Sequence, residues 1–369
     1  MKQHFYLLLF LLLSSSVAFS QEDPLQKFFK QRDTKAIELK LTPEAKARYE
    51  TEKKDFLAVK AAKFTIAPNL VMNRTLKEIT GAIQPTGNNA AEIKAQNEKN
   101  KIAAVAGEKF FKLKKFAWNK FYLADFSSIW QNLPLGSFCT FNSDLLTPVK
   151  DQGSCGSCWA FAAAATWEHS HKKVFGAFGY NESINVSEED MVNCGKACDG
   201  GDCGSCADGG HTYKAFSYLT CTKGSKEADY PYTHTDRACL SKPKSIGAYG
   251  FSQLGSNSSF PSTDEIKAAI NLYGAVTSYV FVGTGWYGYD RGTLNAIPSG
   301  QTMCKDDNGN LYSCPDGINH AVTIVGWCNN SWIIKNSWGT DWGSYGGYAY
   351  VAFNTYNIGK FVYYVFPQF

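Results

Sequence analysis

Gln152-Gly153-Ser154-Cys155-Gly156-Ser157-Cys158-Trp159-Ala160-Phe161 is the stretch on which the reading of this chain turns. A Gly-Ser turn runs into Trp159-Ala160-Phe161 and four further alanines, strong helix formers, so Ser157 to Lys173 is predicted as a helix with Cys158 at its start. A thiol attacks only as thiolate, and a helix N-terminus and a nearby imidazolium are the two usual ways to lower its pKa. The chain has six histidines. His169 and His171 follow Cys158 by 11 and 13 residues on the same helix. At about 1.5 Å per residue they are roughly 16 to 20 Å from the sulfur and out of reach. His320 instead opens the apolar run Ala321-Val322-Thr323-Ile324-Val325-Gly326-Trp327, where a strand backbone can aim it.

Outward from this pair, Ser187-Glu188-Glu189-Asp190 reads as a capped helix start, and Thr263-Asp264-Glu265 begins another helix through Leu272. Beyond Ala275, β-branched and aromatic residues dominate in Ala321 to Trp327, Trp332 to Lys335, Tyr348 to Phe353 and Phe361 to Phe366. Helices followed by strands predict an α+β body in two halves. A hydrophobic fraction of 44% and an aromatic fraction of 15% suit packed cores and exclude a mainly disordered chain.

The N-terminal third is different. Residues 1–20 combine Lys2, an apolar run from Phe5 to Leu13 and the exit Ala18-Phe19-Ser20, the pattern of a secretory signal peptide. That run is too short to span a bilayer, and no later apolar stretch reaches the roughly 18 residues a spanning helix needs. All twelve cysteines lie between Cys139 and Cys328. In an exported chain they favour disulfides. Residues 21–130 hold 21 Lys and Arg against 13 Asp and Glu, a charge of +8, whereas residues 131–369 hold 15 against 20, or −5. The overall +4 is thus a property of the leader and gives no support for nucleic-acid binding. Thr42-Pro43-Glu44 opens a helix predicted to about Lys63, Ala90 to Val105 forms a second helical run, and Pro85 to Asn89 is a loop between them. The division expected is 1–20 signal peptide, 21–125 helical pro-segment and 126–369 body, with the processing boundary between 105 and 140.

Three motifs now stand in order: the Gln152 to Phe161 segment, Asn319-His320-Ala321-Val322, and Lys335-Asn336-Ser337-Trp338-Gly339. Together they resemble the nucleophile, histidine and asparagine segments of the papain family of cysteine proteases, over about residues 139–369. The resemblance implies a two-lobed fold, a helical lobe beside an antiparallel barrel-like sheet lobe, with a cleft between them. It implies a cysteine endopeptidase made as a secreted proenzyme and working through an acyl-enzyme thioester without cofactor or metal. Cys158 would be the nucleophile, His320 its proton partner, Asn336 the group that orients His320, and Gln152 an oxyanion-hole donor beside the Cys158 N–H. Trp338 would shield the His320–Asn336 bond, and Gly209 and Gly210 would pair with extended substrate backbone. Tyr213, Tyr279, Ile318, Ala321 and Tyr364 would line a side-chain pocket.

Implied bridges are Cys194–Cys239 and Cys155–Cys206, with Cys198 an alternative partner for Cys155 and a local Cys304–Cys314 bridge in the long loop from Thr293 to Asp316. Cys139, Cys198, Cys203, Cys221 and Cys328 are left without assigned partners. The partners expected are protein or peptide substrates and the chain's own pro-segment, with no nucleic acid, no membrane span and a monomeric state. The location expected is extracellular, periplasmic or in a lysosome-like lumen. Two rival readings stay open: a catalytically silent binding protein on the same fold, and acyl transfer to amines. The Cys194, Cys198, Cys203, Cys206 cluster also has spacings that could hold zinc.

Overall fold

The computed structural model describes residues 23–28, 34–59, 61–85, 93, 138–176, 182–256, 259–283, 285–295, 303–305, 311–313 and 317–368. The signal segment, most of the Ala90 to Val105 run and Cys314 lie outside them, as does the side chain of Cys304.

Among its described residues the leader contributes the helices α1 (Pro24–Phe28), α2 (Thr34–Glu38), α3 (Pro43–Leu57) and α4 (Leu76–Ile79), and strand β1 (Lys63–Ile66). Thr42 caps α3 by accepting the Ala45 N–H at 3.1 Å, with Pro43 in its first turn. The helix ends at Leu57, short of the expected Lys63. Lys63-Phe64-Thr65-Ile66 forms a strand, because its β-branched residues find an unpaired edge on β7 (Tyr289–Leu294), where Phe64 lies opposite Gly292.

In the body, α5 (Cys158–Gly176) is buried for most of its length, as its alanines and aromatics require. Beside it lie α6 (Glu188–Cys194), capped by Ser187 accepting the Asp190 N–H, and α7 (Thr212–Cys221). Two two-residue strands, β3 (Gly204–Ser205) and β4 (Gly209–Gly210), pair just before α7. The helix α8 (Thr263–Tyr273) is capped by Ser262, one residue before the expected start.

The remaining strands are β2 (Cys139–Phe141), β5 (Ala248–Leu254), β6 (Val276–Val280), β10 (His320–Cys328), β11 (Ser331–Lys335), β12 (Tyr348–Ala352) and β13 (Lys360–Pro367). A separate hairpin joins β8 (Met303–Lys305) to β9 (Leu311–Ser313). The main sheet runs β1-β7-β12-β11-β10-β6-β13-β5, with β2 also on β10. Its pairs are antiparallel except β12–β7. Among the described residues the sheet stays open, since its ends, β1 and β5, are not paired with each other, so the barrel-like lobe is a long twisted sheet. Every residue of β10 is buried. Gly326 makes this possible: the register shifts there, and a Cβ at 326 would come within 2.3 Å of the Thr140 carbonyl oxygen on β2.

Two apolar clusters define the lobes. One joins the α5 start to α7 through Trp159, Phe216, Tyr218 and Leu219, and the other fills the sheet side around Trp286, Trp332, Trp338 and Trp342. Bridges join Cys139–Cys328, Cys155–Cys206, Cys194–Cys239 and Cys198–Cys221, leaving Cys158 and Cys203 as the free thiols among the described residues. The structure therefore pairs Cys155 with Cys206 and not with Cys198. It also uses three of the four cysteines that could have held zinc.

Candidate active site

Cys158 is the first residue of α5, fully buried and unbridged. Its sulfur receives backbone N–H groups from Trp159 at the helix start, from Ala321 on β10 and from Ala82 of the leader. The Ala321 contact puts the thiol beside the residue next to His320. His169 and His171 lie further along α5, buried, with His169 Nδ1 against the Ala165 carbonyl at 2.6 Å.

His320 opens β10 and is fully buried. Its Nε2 lies 2.8 Å from Asn336 Oδ1, which also accepts the Ser337 N–H at 2.9 Å. An amide oxygen only accepts, so Nε2 carries the proton and Nδ1, without a hydrogen-bond partner, is the basic nitrogen of the neutral ring. Trp338 lies tilted against the His320 ring with centroids 4.8 Å apart, and Trp286 lies edge-on to it at 6.5 Å.

Gln152 is buried and held at both ends of its amide. Ser337 Oγ donates to Oε1 at 2.7 Å, while Nε2 donates to the Cys155 carbonyl at 2.9 Å and to the Glu78 carbonyl of the leader at 3.3 Å. Its backbone is fixed by the Ser337 carbonyl and by the Tyr232 hydroxyl. Sequence reasoning missed Ser337 and Tyr232, although Ser337 stands next to Asn336.

The leader crosses this site. Arg74 makes two bonds to Asp151, at 2.6 and 2.7 Å, Trp338 Nε1 donates to the Ile79 carbonyl, and Gly81 and Ala82 donate to the Asn319 carbonyl at 2.9 and 3.0 Å. Gly210 donates to the Gly81 carbonyl and accepts from Ile83 N–H. Gly210, and with it Gly209 in β4, thus flanks an extended chain, here the leader's own. Gly81 has φ +148°, and a Cβ there would lie 1.9 Å from the Gly156 carbonyl oxygen, so this crossing requires glycine.

Covered in this way, the site is electrically quiet. Burial pushes the Cys158 thiol up to about 12 and holds His320 down at about 4, outweighing the N–H groups around the sulfur and the Asn336 bond. The lowered thiol pKa expected from the helix start therefore does not hold in this covered form, because the cost of a charge in a dry site exceeds the gain from the helix start.

Of the pocket residues, Tyr213, Tyr279 and Ala321 share the helical-lobe cluster with Ala82, and Ile318 packs against it. Tyr364 does not: it stacks on Tyr273 at 4.2 Å in the sheet-side cluster, and its neighbour Tyr363 lies in the helical-lobe cluster instead. Strand side chains alternate, so a slip of one residue moves a side chain to the opposite face.

Residues 139–366 match the family described as papain family cysteine protease. The chain is 32% identical over 207 residues to thiol protease aleurain of Arabidopsis thaliana, covering 55% of this chain and 51% of that one. It is 34% identical over 236 residues to a cysteine protease of Blomia tropicalis, covering 59% and 62%. The chain thus spans about half to three-fifths of the length of these curated relatives. Among solved structures it is similar to a recombinant stem bromelain precursor (TM-score 0.59, 21% identity, 93% of this chain and 99% of that one). It is also similar to the digestive procathepsin L2 of Tenebrio molitor larval midgut (TM-score 0.60, 22% identity, 87% and 89%). At these identities the likeness is one of fold.

Proposed function

The chain belongs to the papain family of cysteine proteases, and from that premise we propose that it is a secreted proenzyme whose body is a cysteine endopeptidase. The observation that carries this reading is a free Cys158 at a helix start whose sulfur meets the Ala321 N–H next to His320, together with the His320–Asn336 bond and the Gln152 amide anchored by Ser337.

In the uncovered enzyme the Cys158 proton passes to His320 Nδ1. The sulfur attacks the scissile carbonyl carbon, and the oxyanion is met by Gln152 Nε2 and the Cys158 N–H. His320 then protonates the leaving amine, which leaves a thioester on Cys158. Water, giving its proton to His320, attacks the thioester to release the acid and restore the thiol. Asn336 Oδ1 fixes the ring tautomer throughout.

Residues 1–20 are assigned as the signal peptide, 21–125 as the pro-segment and 126–369 as the peptidase body. The pro-segment acts as an inhibitor, because its chain takes the backbone groups of Gly210 and Asn319 and a donor of Gln152 that substrate would need. Four bridges suit an oxidising compartment. The charges of +8 and −5 favour docking at neutral pH and release at about pH 4 to 5, as carboxylates protonate.

Cys158→Ala in the full chain tests the assignment. Self-processing and peptide hydrolysis should fall to background while the melting temperature is kept, and a thiol-directed epoxide should label the self-processed parent once, at Cys158. Substantial peptide hydrolysis by the variant rejects the mechanism, and labelling without any hydrolysis in the parent favours a silent binding protein.

A further inference from the structure

Tyr279 occupies an unusual place for a large side chain. It lies on β6 directly opposite Ala321 on β10, and opposite residues of an antiparallel pair share a face. It is fully buried in the helical-lobe cluster, its ring 5.6 Å from Phe361. Its hydroxyl accepts the Thr212 N–H at 2.9 Å. Thr212 is the first residue of α7, and His211 before it provides no side-chain cap, so the tyrosine satisfies an orphan helix donor from across the cleft. Cys158 and Tyr213 are both close enough to act on the hydroxyl electrostatically. The ring therefore spans from the sheet lobe to the helical lobe, in the same buried cluster as Cys158 and Ala82.

The leader shows what fits above it. Ala82 is bridged to Gly210. In this extended stretch Ile83 is 39% exposed and Ala82 is 8% exposed, so the side chain that enters the buried space is a methyl group.

We propose that Tyr279 fills, from within, the pocket for the substrate residue that pairs with Gly210, so that the enzyme takes peptides with glycine, alanine or serine at that position. This rests on the peptidase reading above. A larger side chain there has to displace a ring held by a hydrogen bond at one end and by its strand at the other, and overpacking of such a site is unfavourable. Shortening Tyr279 removes the obstacle.

The test uses the full chain. Ala82→Phe is treated with iodoacetamide at pH 7, and peptide mass spectrometry separates modification of Cys158 from that of Cys203. Modification of Cys158 should be at least tenfold faster than in the parent, because the leader no longer seats. Adding Tyr279→Ala should bring the rate back to within about threefold of the parent. Tyr279→Val serves the same purpose should the alanine variant fail to fold. A parent-like rate for Ala82→Phe, or no slowing when Tyr279 is shortened, overturns the proposal.

After self-processing, a peptide library varied at the three residues on the acyl side of the cut should show one position at which glycine, alanine or serine exceeds leucine or phenylalanine at least tenfold in kcat/KM. That gap should close in Tyr279→Ala. Equal turnover of large and small residues at all three positions overturns the pocket while leaving Cys158 as the nucleophile. The expected labelling pattern without any peptide cleavage supports the pocket and overturns the peptidase reading.

Discussion

The Gln152 amide, proposed above as an oxyanion-hole donor, is fixed at its far end by Ser337. Preorganised donors of this kind act on the transition state, so Gln152→Ala should lower kcat about 10²-fold or more with little change in KM, measured on the processed enzyme. A large rise in KM with kcat intact would reassign Gln152 to substrate binding. Gly81 is the matching residue on the leader. Gly81→Ala forces backbone against the Gly156 carbonyl, and at about 1 to 3 kcal/mol for such crowding the leader should open about 5 to 150 times more often, seen as faster alkylation of Cys158. At this scale the sequence was informative where chemistry dictates residue type, as at Cys158, His320, Asn336 and Gln152. It was less so where only strand phase decides, as with Tyr363 and Tyr364, or where a hydroxyl acts through another side chain, as with Ser337 and Tyr232.

At the scale of elements, α3 and β1 carry the leader's grip on the sheet lobe. Glu52 on α3 is buried against the turn before β7, accepting the Gly285 N–H at 2.9 Å with the Tyr287 and Gly288 amides nearby. Burial raises its pKa from 4.5 to about 7 despite those donors. A raised carboxyl pKa means that the docked state binds the proton more tightly, so this residue strengthens docking as pH falls from 7 towards 4.5 and loses that contribution as pH rises through 7. Glu52→Gln, which stays neutral, should abolish this difference. In a Cys158→Ala background, hydrogen exchange of the β1 amides, corrected for intrinsic rates, should be slower at pH 5 than at pH 7 with Glu52 and nearly equal with Gln. The same pH difference in both proteins would remove Glu52 from the account. Helix starts were legible because caps are local, as at Thr42 and Ser187. The α3 end was not, because Lys63 to Ile66 become a strand only through β7, some 225 residues away in sequence.

At the scale of the whole molecule, the leader ties both lobes together, through β1 on the sheet, the Arg74–Asp151 pair and the crossing at Gly81 to Ile83. Along the sequence the leader carries +8 and the body −5, and the attraction proposed from these charges and the Glu52 effect have opposite signs in acid. Below about pH 4.5 Glu52 has nothing further to add. The ordinary carboxylates of the body, with reference values of about 3.9 to 4.3, begin to neutralise there, so release belongs to that lower range. The electrostatic part can be separated from the buried contacts by salt. Raising ionic strength from 0.05 to 0.5 M shortens the Debye length from about 14 to about 4 Å. That screens the diffuse attraction but leaves the Gly210, Asn319 and Trp338 hydrogen bonds and the burial of Glu52 in place. Self-processing of the full chain at pH 5 should therefore quicken several-fold with salt, and its pH midpoint should move upward. A rate and midpoint indifferent to salt would show that the buried contacts alone hold the leader, and that the charge imbalance along the sequence has no part in its release.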